Sequence, residues 1–411
     1  MSEPTKQQIA EILRHSGPIT LAAGPREVPV GVFPTPNEIW ELPGGTAWVF
    51  YGEGNRQLTR PVIMADGFNT GPSTLRFSWT CLELGDYPMI SELRRRGRDA
   101  IMLGFAERSA SILDNAEAAE AAILRAITER QGEEPLAVGG FSMGGLVTRY
   151  ALANLESQRL DHQTALYWSY DSPHRGAWIP IALQAFAHYI RDLNNSFSSQ
   201  INSPAAQQLL WRHIAEWDSG PEESKLRTDF LTALQSVGGW PQRPRLIGVA
   251  NGVSDGIGTG LEPGATAFKG TGLSITPTGL YIQGPGERQL VADLRVVTPP
   301  PKQQVFTSAL PTIDGAPGGT LDGFGILAEE LGKLPAWLLM QSAANIPSHC
   351  FVPAVSAVAI GNLDTDDDLY ASIDDLPVEA SELDEFRCAA QNEEHTKISE
   401  ELCTWIFDRL P

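Results

Sequence analysis

Cysteine is scarce in this sequence, and its scarcity excludes a fold held together by disulfides. Four cysteines occur among 411 residues, at Cys81, Cys350, Cys388 and Cys403. So few thiols in so long a chain do not make a disulfide framework, and their spacing matches no zinc-binding pattern. The chain also lacks an H-E-x-x-H motif. A metal-dependent hydrolase is therefore not expected.

Positive charge and long hydrophobic runs are lacking as well. Thirty Lys and Arg face 50 Asp and Glu, which gives a formal net charge of −20. Phosphate backbones attract the opposite balance, so nucleic acid is not an expected partner. Because no stretch reaches the roughly 18 uninterrupted apolar residues of a membrane span, stable membrane insertion is not expected. The first residues do not resemble a signal peptide, which predicts a cytoplasmic protein, although a chain trimmed of such a signal would look the same.

Apolar segments of strand length alternate with amphipathic helical segments over residues 46–172. Glycine and proline are frequent, at 39 and 30 residues, and they interrupt the chain too often for a coiled coil. Uninterrupted apolar strands that alternate with helices are typical of a parallel sheet covered on both faces. The order β-β-α-β-α-β-α-β therefore predicts an α/β fold with a mostly parallel central sheet.

Two segments of different character follow this core. Residues 177–240 look helical and hold four of the ten tryptophans, which predicts an aromatic-rich helical cap or lid. Residues 265–310 alternate apolar and polar positions, which predicts a β-rich insertion. The core is then expected to comprise residues 1–176 and 241–411. The acidic run Asp364–Asp368 is interpreted as a solvated loop, with bound calcium as the alternative.

The strongest motif is the G-x-S-x-G sequence from Gly140 to Gly144, between a predicted strand and a predicted helix. A serine on so tight a turn is lifted above the sheet, and the N–H that follows it points at a developing oxyanion. Ser142 is therefore the predicted nucleophile, and the Met143 N–H is a predicted oxyanion donor. The second donor is expected in the loop after an earlier strand, where we choose the Phe68 N–H.

The base and the acid of this predicted site each have two candidates. In enzymes with this motif the order along the chain is nucleophile, acid, base, which leaves His349 and His395 as bases. His395 is preferred because it lies in a polar loop directly before the last helix, whereas His349 precedes an apolar strand. Asp255, after a predicted strand, is preferred as the acid over Asp171, which ends the preceding strand. The acid would orient the imidazole and stabilise its charged form.

At these residues the chain resembles the lipase and esterase branch of the α/β-hydrolase superfamily. Residues 141–150 are similar to the nucleophile elbow and following helix of triacylglycerol lipases and cholesterol acyltransferase-like enzymes, and residues 171–177 to the turn after their next strand. Residues 167–174, 177–184, 350–357 and 392–395 are similar to large, poorly characterised bacterial serine hydrolases.

This resemblance implies an α/β-hydrolase fold and the hydrolysis of a small-molecule or lipid-like ester through an acyl-serine, without a cofactor. One departure is Asp66, which stands where many lipases have histidine before the oxyanion glycine. An acyltransferase or cyclase with the same triad is an alternative, as is a binding protein that kept the fold without catalysis. The sequence does not indicate an oligomeric state.

Overall fold

The computed structural model describes residues 7–8, 11–12, 19–21, 24–25, 28–31, 33–272, 275, 277–295, 303–335 and 341–411. The strands in this part of the chain are β1 (Glu38–Leu42), β2 (Gly45–Phe50), β3 (Pro61–Ala65), β4 (Asp99–Phe105), β5 (Leu136–Phe141), β6 (Thr164–Tyr170), β7 (Arg245–Ala250), β8 (Thr266–Gly270), β9 (Gly279–Tyr281), β10 (Gln289–Leu294), β11 (Gln303–Thr307), β12 (Gly318–Leu321), β13 (Ser342–Ala344), β14 (His349–Pro353) and β15 (Glu385–Cys388).

Helices connect these strands. They are α1 (Leu75–Glu83), α2 (Met89–Arg95), α3 (Ile112–Glu129), α4 (Met143–Ser157), α5 (Ile181–Tyr189), α6 (Ser196–Ile201), α7 (Pro204–Leu209), α8 (Lys225–Ser236), α9 (Gly323–Gly332), α10 (Ala354–Ala357), α11 (Asp366–Leu369) and α12 (Glu400–Phe407). Short 3-10 turns occupy Ile313–Gly315, Ile373–Asp375 and Val378–Ala380. Within the described ranges, no helix is both long enough and apolar enough to cross a membrane.

Eight strands form the central sheet, in the order β1-β2-β4-β3-β5-β6-β7-β15. Neighbours from β4 to β15 pair in parallel, whereas β1 and β2 add an antiparallel edge. The central strands β3, β4 and β5 are buried at every position, as parallel strands covered on both faces require. The predicted α/β fold with a mostly parallel sheet is confirmed.

Helices cover both faces of this sheet. Successive side chains of a strand point to opposite faces, and the two apolar cores follow that alternation in β4. Ile101 and Leu103 pack in one core with helices α3 and α4. Ala100 and Met102 pack in the other core with helices α1, α2 and α12. The sheet is therefore the middle layer of three.

Helix α3 shows how the local sequence fits this layering. Ser111 caps its first turn by accepting a hydrogen bond from the Leu113 N–H. Its buried positions recur at helical spacing, at Ile112, Ala116, Ala119, Ile123 and Ala126. Alanine on this stripe brings the helix axis close to the sheet, so the helix packs tightly against the strands below it.

The segment 177–240 holds four helices, α5 to α8, and several of its aromatic side chains are buried. The β-rich segment forms a five-stranded antiparallel sheet in the order β11-β10-β9-β8-β13. Strand β13 extends this sheet beyond the expected limit at residue 310. The division of the chain into a core and a cap stays a prediction.

Asp314 joins these two segments. It is fully buried, and its Oδ1 accepts a hydrogen bond from Trp178 Nε1 at 2.6 Å. Its Oδ2 accepts one from the Gln283 N–H at 2.7 Å. Burial raises the pKa of this carboxyl to about 6, although both hydrogen bonds act in the opposite direction. The carboxyl thus ties the start of the helical segment to the β-rich sheet.

Candidate active site

Ser142 lies on the turn that joins strand β5 to helix α4. Its φ of 52° and ψ of −121° fall in a region that residues with a side chain rarely adopt. Glycine is required on both sides of it. A Cβ on Gly140 would lie 2.5 Å from the carbonyl carbon of Gly144, and one on Gly144 would lie 2.3 Å from the Ala65 oxygen. The structure therefore has the strained turn that the motif predicts.

Ser142, His395 and Asp171 form one hydrogen-bonded chain. His395 Nε2 lies 2.7 Å from Ser142 Oγ, and His395 Nδ1 lies 2.6 Å from Asp171 Oδ2. All three residues are buried: Ser142 is 7 % exposed, His395 is 2 % exposed and Asp171 is 0 % exposed. A neutral imidazole that donates from Nδ1 to the carboxylate keeps Nε2 free to accept the serine proton. The arrangement can therefore activate the hydroxyl as a nucleophile.

The carboxylate beside the imidazole is Asp171, so the preference for Asp255 is corrected. Asp171 follows β6, the strand next to β5, and its Oδ1 accepts the Asn251 N–H at 2.9 Å. Asp255 is exposed, and its Oδ1 accepts the Ile257 N–H at 2.8 Å. The chain turns there through Gly256, whose φ is +78°. This turn after β7 directs Asp255 to solvent, away from the imidazole.

Three contacts hold the His395 loop in place. The His395 N–H donates to the Thr320 carbonyl oxygen at 2.8 Å, and the Thr320 N–H donates to the Glu393 carbonyl oxygen at 2.8 Å. The Phe351 ring packs edge-on against the imidazole, with ring centroids 4.8 Å apart. Strands β12 and β14 thus supply backbone and ring contacts that hold the imidazole.

His349, the alternative base, lies elsewhere. It is fully buried in β14, and its Nδ1 lies 2.7 Å from the Cys350 carbonyl oxygen. Burial lowers the pKa of this imidazole to about 4. Its Nε2 faces Gly323, where a Cβ would lie 2.6 Å away. His395 is therefore the histidine that the structure brings to Ser142.

The loop after β3 approaches Ser142 closely. A Cβ on Gly67 would lie 3.4 Å from the Ser142 Cβ. Within the described part of the chain, neither the Phe68 N–H nor the Met143 N–H has a hydrogen-bond partner. Two unpaired N–H groups beside a nucleophile are what an oxyanion requires. Their role as oxyanion donors stays a prediction.

Ser73 and Arg108 support this loop, and sequence reasoning missed both. Ser73 Oγ donates to Asp66 Oδ2 at 2.7 Å, and Asp66 Oδ1 accepts the Gly67 N–H at 2.8 Å. Arg108 donates to the carbonyl oxygens of Gly71 and Thr70 at 3.3 and 3.1 Å. Burial raises the pKa of Asp66, and the charge of Arg108 opposes that rise. The unusual aspartate before Gly67 was the available signal, since neither partner belongs to a motif.

A cavity of about 430 Å³ opens at Ser142 and His395. Most of its wall is apolar, with side chains that include Phe77, Leu82, Phe141, Phe197, Leu210 and Phe351. Helices α1, α6 and α7 contribute residues to this wall. Asp66 and Arg108 add charge to this wall. The cavity suits an apolar ligand with a polar group at a defined place.

The described residues contain no group of three or more His, Cys, Asp and Glu side chains placed to hold a metal ion. The acidic run Asp364–Asp368, interpreted from the sequence as a solvated loop with bound calcium as the alternative, contacts distant parts of the chain. Asp364 pairs with Arg212 at 3.1 Å, and Asp366 Oδ1 accepts hydrogen bonds from Thr312. Asp364 and Asp366 therefore tie the acidic loop to Arg212 and Thr312.

No protein-family model matches this chain, and no curated protein matches it either. Among solved structures it is similar to a mature lipase from Bacillus licheniformis, with 15% identity, a TM-score of 0.33 and coverage of 49% of this chain and 71% of that one. A lidless serine hydrolase from Xanthomonas campestris gives 20% identity, a TM-score of 0.26 and coverage of 36% and 67%.

An esterase from Pyrobaculum calidifontis gives 12% identity, a TM-score of 0.28 and coverage of 44% of this chain and 57% of that one. These neighbours are lipases, esterases and serine hydrolases by name. Because these sequence identities and TM-scores are low, any assignment of an activity has to rest on the chemistry of Ser142, His395 and Asp171.

Proposed function

We propose that the protein is a serine hydrolase that cleaves carboxylic esters through an acyl-serine intermediate. The observation that carries this proposal is the hydrogen-bonded chain from Asp171 through His395 to Ser142, at the wall of a mainly apolar cavity. The strained backbone at Ser142 supports it, because such strain recurs at catalytic sites. The substrate is a small-molecule or lipid-like ester.

The geometry suits two successive acyl transfers. In the first, Ser142 Oγ bonds to the ester carbonyl carbon while His395 Nε2 takes the hydroxyl proton. The Phe68 and Met143 N–H groups hold the oxyanion, and the carbonyl re-forms as the bond to the leaving alcohol breaks. The alcohol oxygen receives the proton from Nε2, and Asp171 stabilises the intervening imidazolium.

Water then resolves the acyl-serine. It attacks the acyl carbon while His395 Nε2 takes one of its protons, and collapse of the second oxyanion returns that proton to Ser142 Oγ. The acid leaves, and the starting hydroxyl is restored. An added alcohol could replace water in this step, which is the acyltransferase alternative. The products therefore distinguish the two: hydrolysis gives the free acid even when alcohol is present.

The rate on p-nitrophenyl esters of graded acyl length tests the proposal. We expect kcat/KM to rise about fourfold per added methylene while the chain still fills the cavity, because each buried methylene contributes roughly 0.8 kcal/mol. The rise should stop once the chain is longer than the cavity. No hydrolysis of any ester, or rates independent of chain length, would contradict an apolar ester site.

Paired aspartate variants test which carboxylate serves the imidazole. Asp171→Asn should lower kcat by about 10⁴-fold, because an amide at this place stabilises the wrong imidazole tautomer. Asp255→Asn is the matched control and should stay within about twofold of the unaltered enzyme, since surface substitutions seldom matter. Steady-state rates on one ester measure both. Equal defects in the two variants would refute the assignment.

A further inference from the structure

Among the charged side chains of the cavity wall, Asp66 and Arg108 face each other without a hydrogen bond between them. Arg108 is 8 % exposed, and it donates from Nε and Nη2 to the backbone of the loop after β3. Its Nη1 lies 3.8 Å from Asp66 Oδ2, which is beyond hydrogen-bond reach. Asp66 Oδ2 accepts one hydrogen bond, from Ser73 Oγ.

Arg108 Nη1 and Asp66 Oδ2 can therefore each form a further hydrogen bond. Among the described residues, Arg108 Nη1 has no acceptor within hydrogen-bond distance, and a carboxylate oxygen can accept a second donor. Both residues line the cavity that contains Ser142. When an apolar ligand displaces water from polar groups in such a place, the loss of their hydrogen bonds opposes binding.

We propose that Asp66 and Arg108 form a subsite for a hydroxyl group of the substrate. This inference rests on the proposed function and names its substrate class: a hydroxylated ester. A hydroxyl can accept a hydrogen bond from Nη1 and donate one to Oδ2 at the same time. An oxygen about 2.8 Å from each atom fits beside a 3.8 Å pair.

Other functional groups suit this pair less well. A carbonyl would accept from Arg108 but turn its lone pairs toward the Asp66 carboxylate. A carboxylate would be repelled by Asp66, and an ammonium would be repelled by Arg108. A hydroxyl is neutral and serves both partners. A site built to bond a hydroxyl discriminates strongly against the analogue that lacks it, because its own polar groups then stay unpaired.

The hydroxyl has two possible sources, the acyl chain or the alcohol part of the ester. The first source corresponds to esters of hydroxy acids, and the second to partial esters of a polyol. The two share the same chemistry at the subsite. Matched ligand pairs distinguish them, because each pair differs by hydroxyl groups in one part of the molecule.

Binding to the Ser142→Ala protein tests the subsite, because this variant leaves the ester intact. Calorimetry would compare ethyl octanoate with ethyl hydroxyoctanoates that carry the hydroxyl on successive carbons. It would also compare propyl octanoate with monooctanoylglycerol. We expect at least one hydroxylated ester to bind about tenfold more tightly than its partner, as a hydrogen bond to a charged group allows.

Second substitutions in that protein assign the preference to the pair. Arg108→Met and Asp66→Asn should each reduce the preference to about twofold or less. Arg125→Met is the matched control: this residue lies on helix α3 outside the cavity wall, so the preference should persist. Because each preference is a ratio within one protein, partial loss of folded material does not alter it.

Equal affinities within every ligand pair would overturn the proposal. So would a preference that survives in both Arg108→Met and Asp66→Asn, or the absence of binding by any ester. The test does not depend on turnover. If the unaltered protein hydrolyses no ester while Ser142→Ala keeps the hydroxyl preference, the catalytic proposal fails and the subsite stands.

Discussion

Replacing Ser142 by alanine should lower kcat on p-nitrophenyl octanoate by about 10⁶-fold, the effect expected when the nucleophile of such a triad is lost. The substitution removes Oγ, so no acyl-serine forms and His395 has no proton to accept. The fold should remain, because alanine meets the same backbone strain as serine at a φ of 52°.

Covalent labelling provides the second measurement of this variant. A fluorophosphonate probe should label the unaltered protein and fail to label Ser142→Ala. Ser157→Ala, at the exposed end of helix α4, is the matched control and should keep both the rate and the label. Ester turnover above about one hundredth of the normal rate in Ser142→Ala would remove the nucleophile assignment.

Replacing His395 by alanine should produce a defect of about the same size, because nucleophile and base act as a unit. The imidazole lies 2.7 Å from Ser142 Oγ, so its loss leaves the hydroxyl without a proton acceptor. His349→Gln should retain kcat within about fivefold, since His349 belongs to the packing around β14.

Rates of these two variants have to be compared per folded molecule. His349 is fully buried, so its replacement is expected to lower the free energy of unfolding by about 1–3 kcal/mol. Thermal denaturation measures that loss separately from kcat. A large fall in kcat for His349→Gln, with the melting temperature unchanged, would contradict the choice of base.

The sequence predicted those parts of the site that depend on short-range geometry. The turn at Ser142 is set by the glycines on either side of it, and the motif therefore specified its backbone. The strands of the central sheet were recognisable because burial on both faces demands uninterrupted apolar residues. The polar loop before the last helix favours His395 as the base.

Local sequence patterns could not identify the carboxylate that pairs with His395, for a physical reason. Asp171 and Asp255 both follow strands of one parallel sheet, so both lie near its carboxyl edge. What separates them is the direction of the chain beyond each strand: Asp171 has a φ of 49°, and Gly319 of strand β12 approaches its carboxylate. That approach joins distant parts of the chain, which no local pattern records.

Strand β13 was missed for another reason. It comprises three residues, Ser342–Ala344, and it pairs with β8. Three small or polar residues cannot show the alternation by which a strand is recognised. The limits of the β-rich segment therefore depended on pairing with a distant strand.

The hydrogen bonds of His395 also determine when a growing chain completes the proposed catalytic site. His395 lies 224 positions after Asp171 and 253 positions after Ser142 in the chain. Synthesis proceeds from the amino terminus. A nascent polypeptide thus carries its serine and aspartate long before its imidazole leaves the ribosome. The proposed triad is therefore complete only after the His395 loop has docked on the Thr320 backbone.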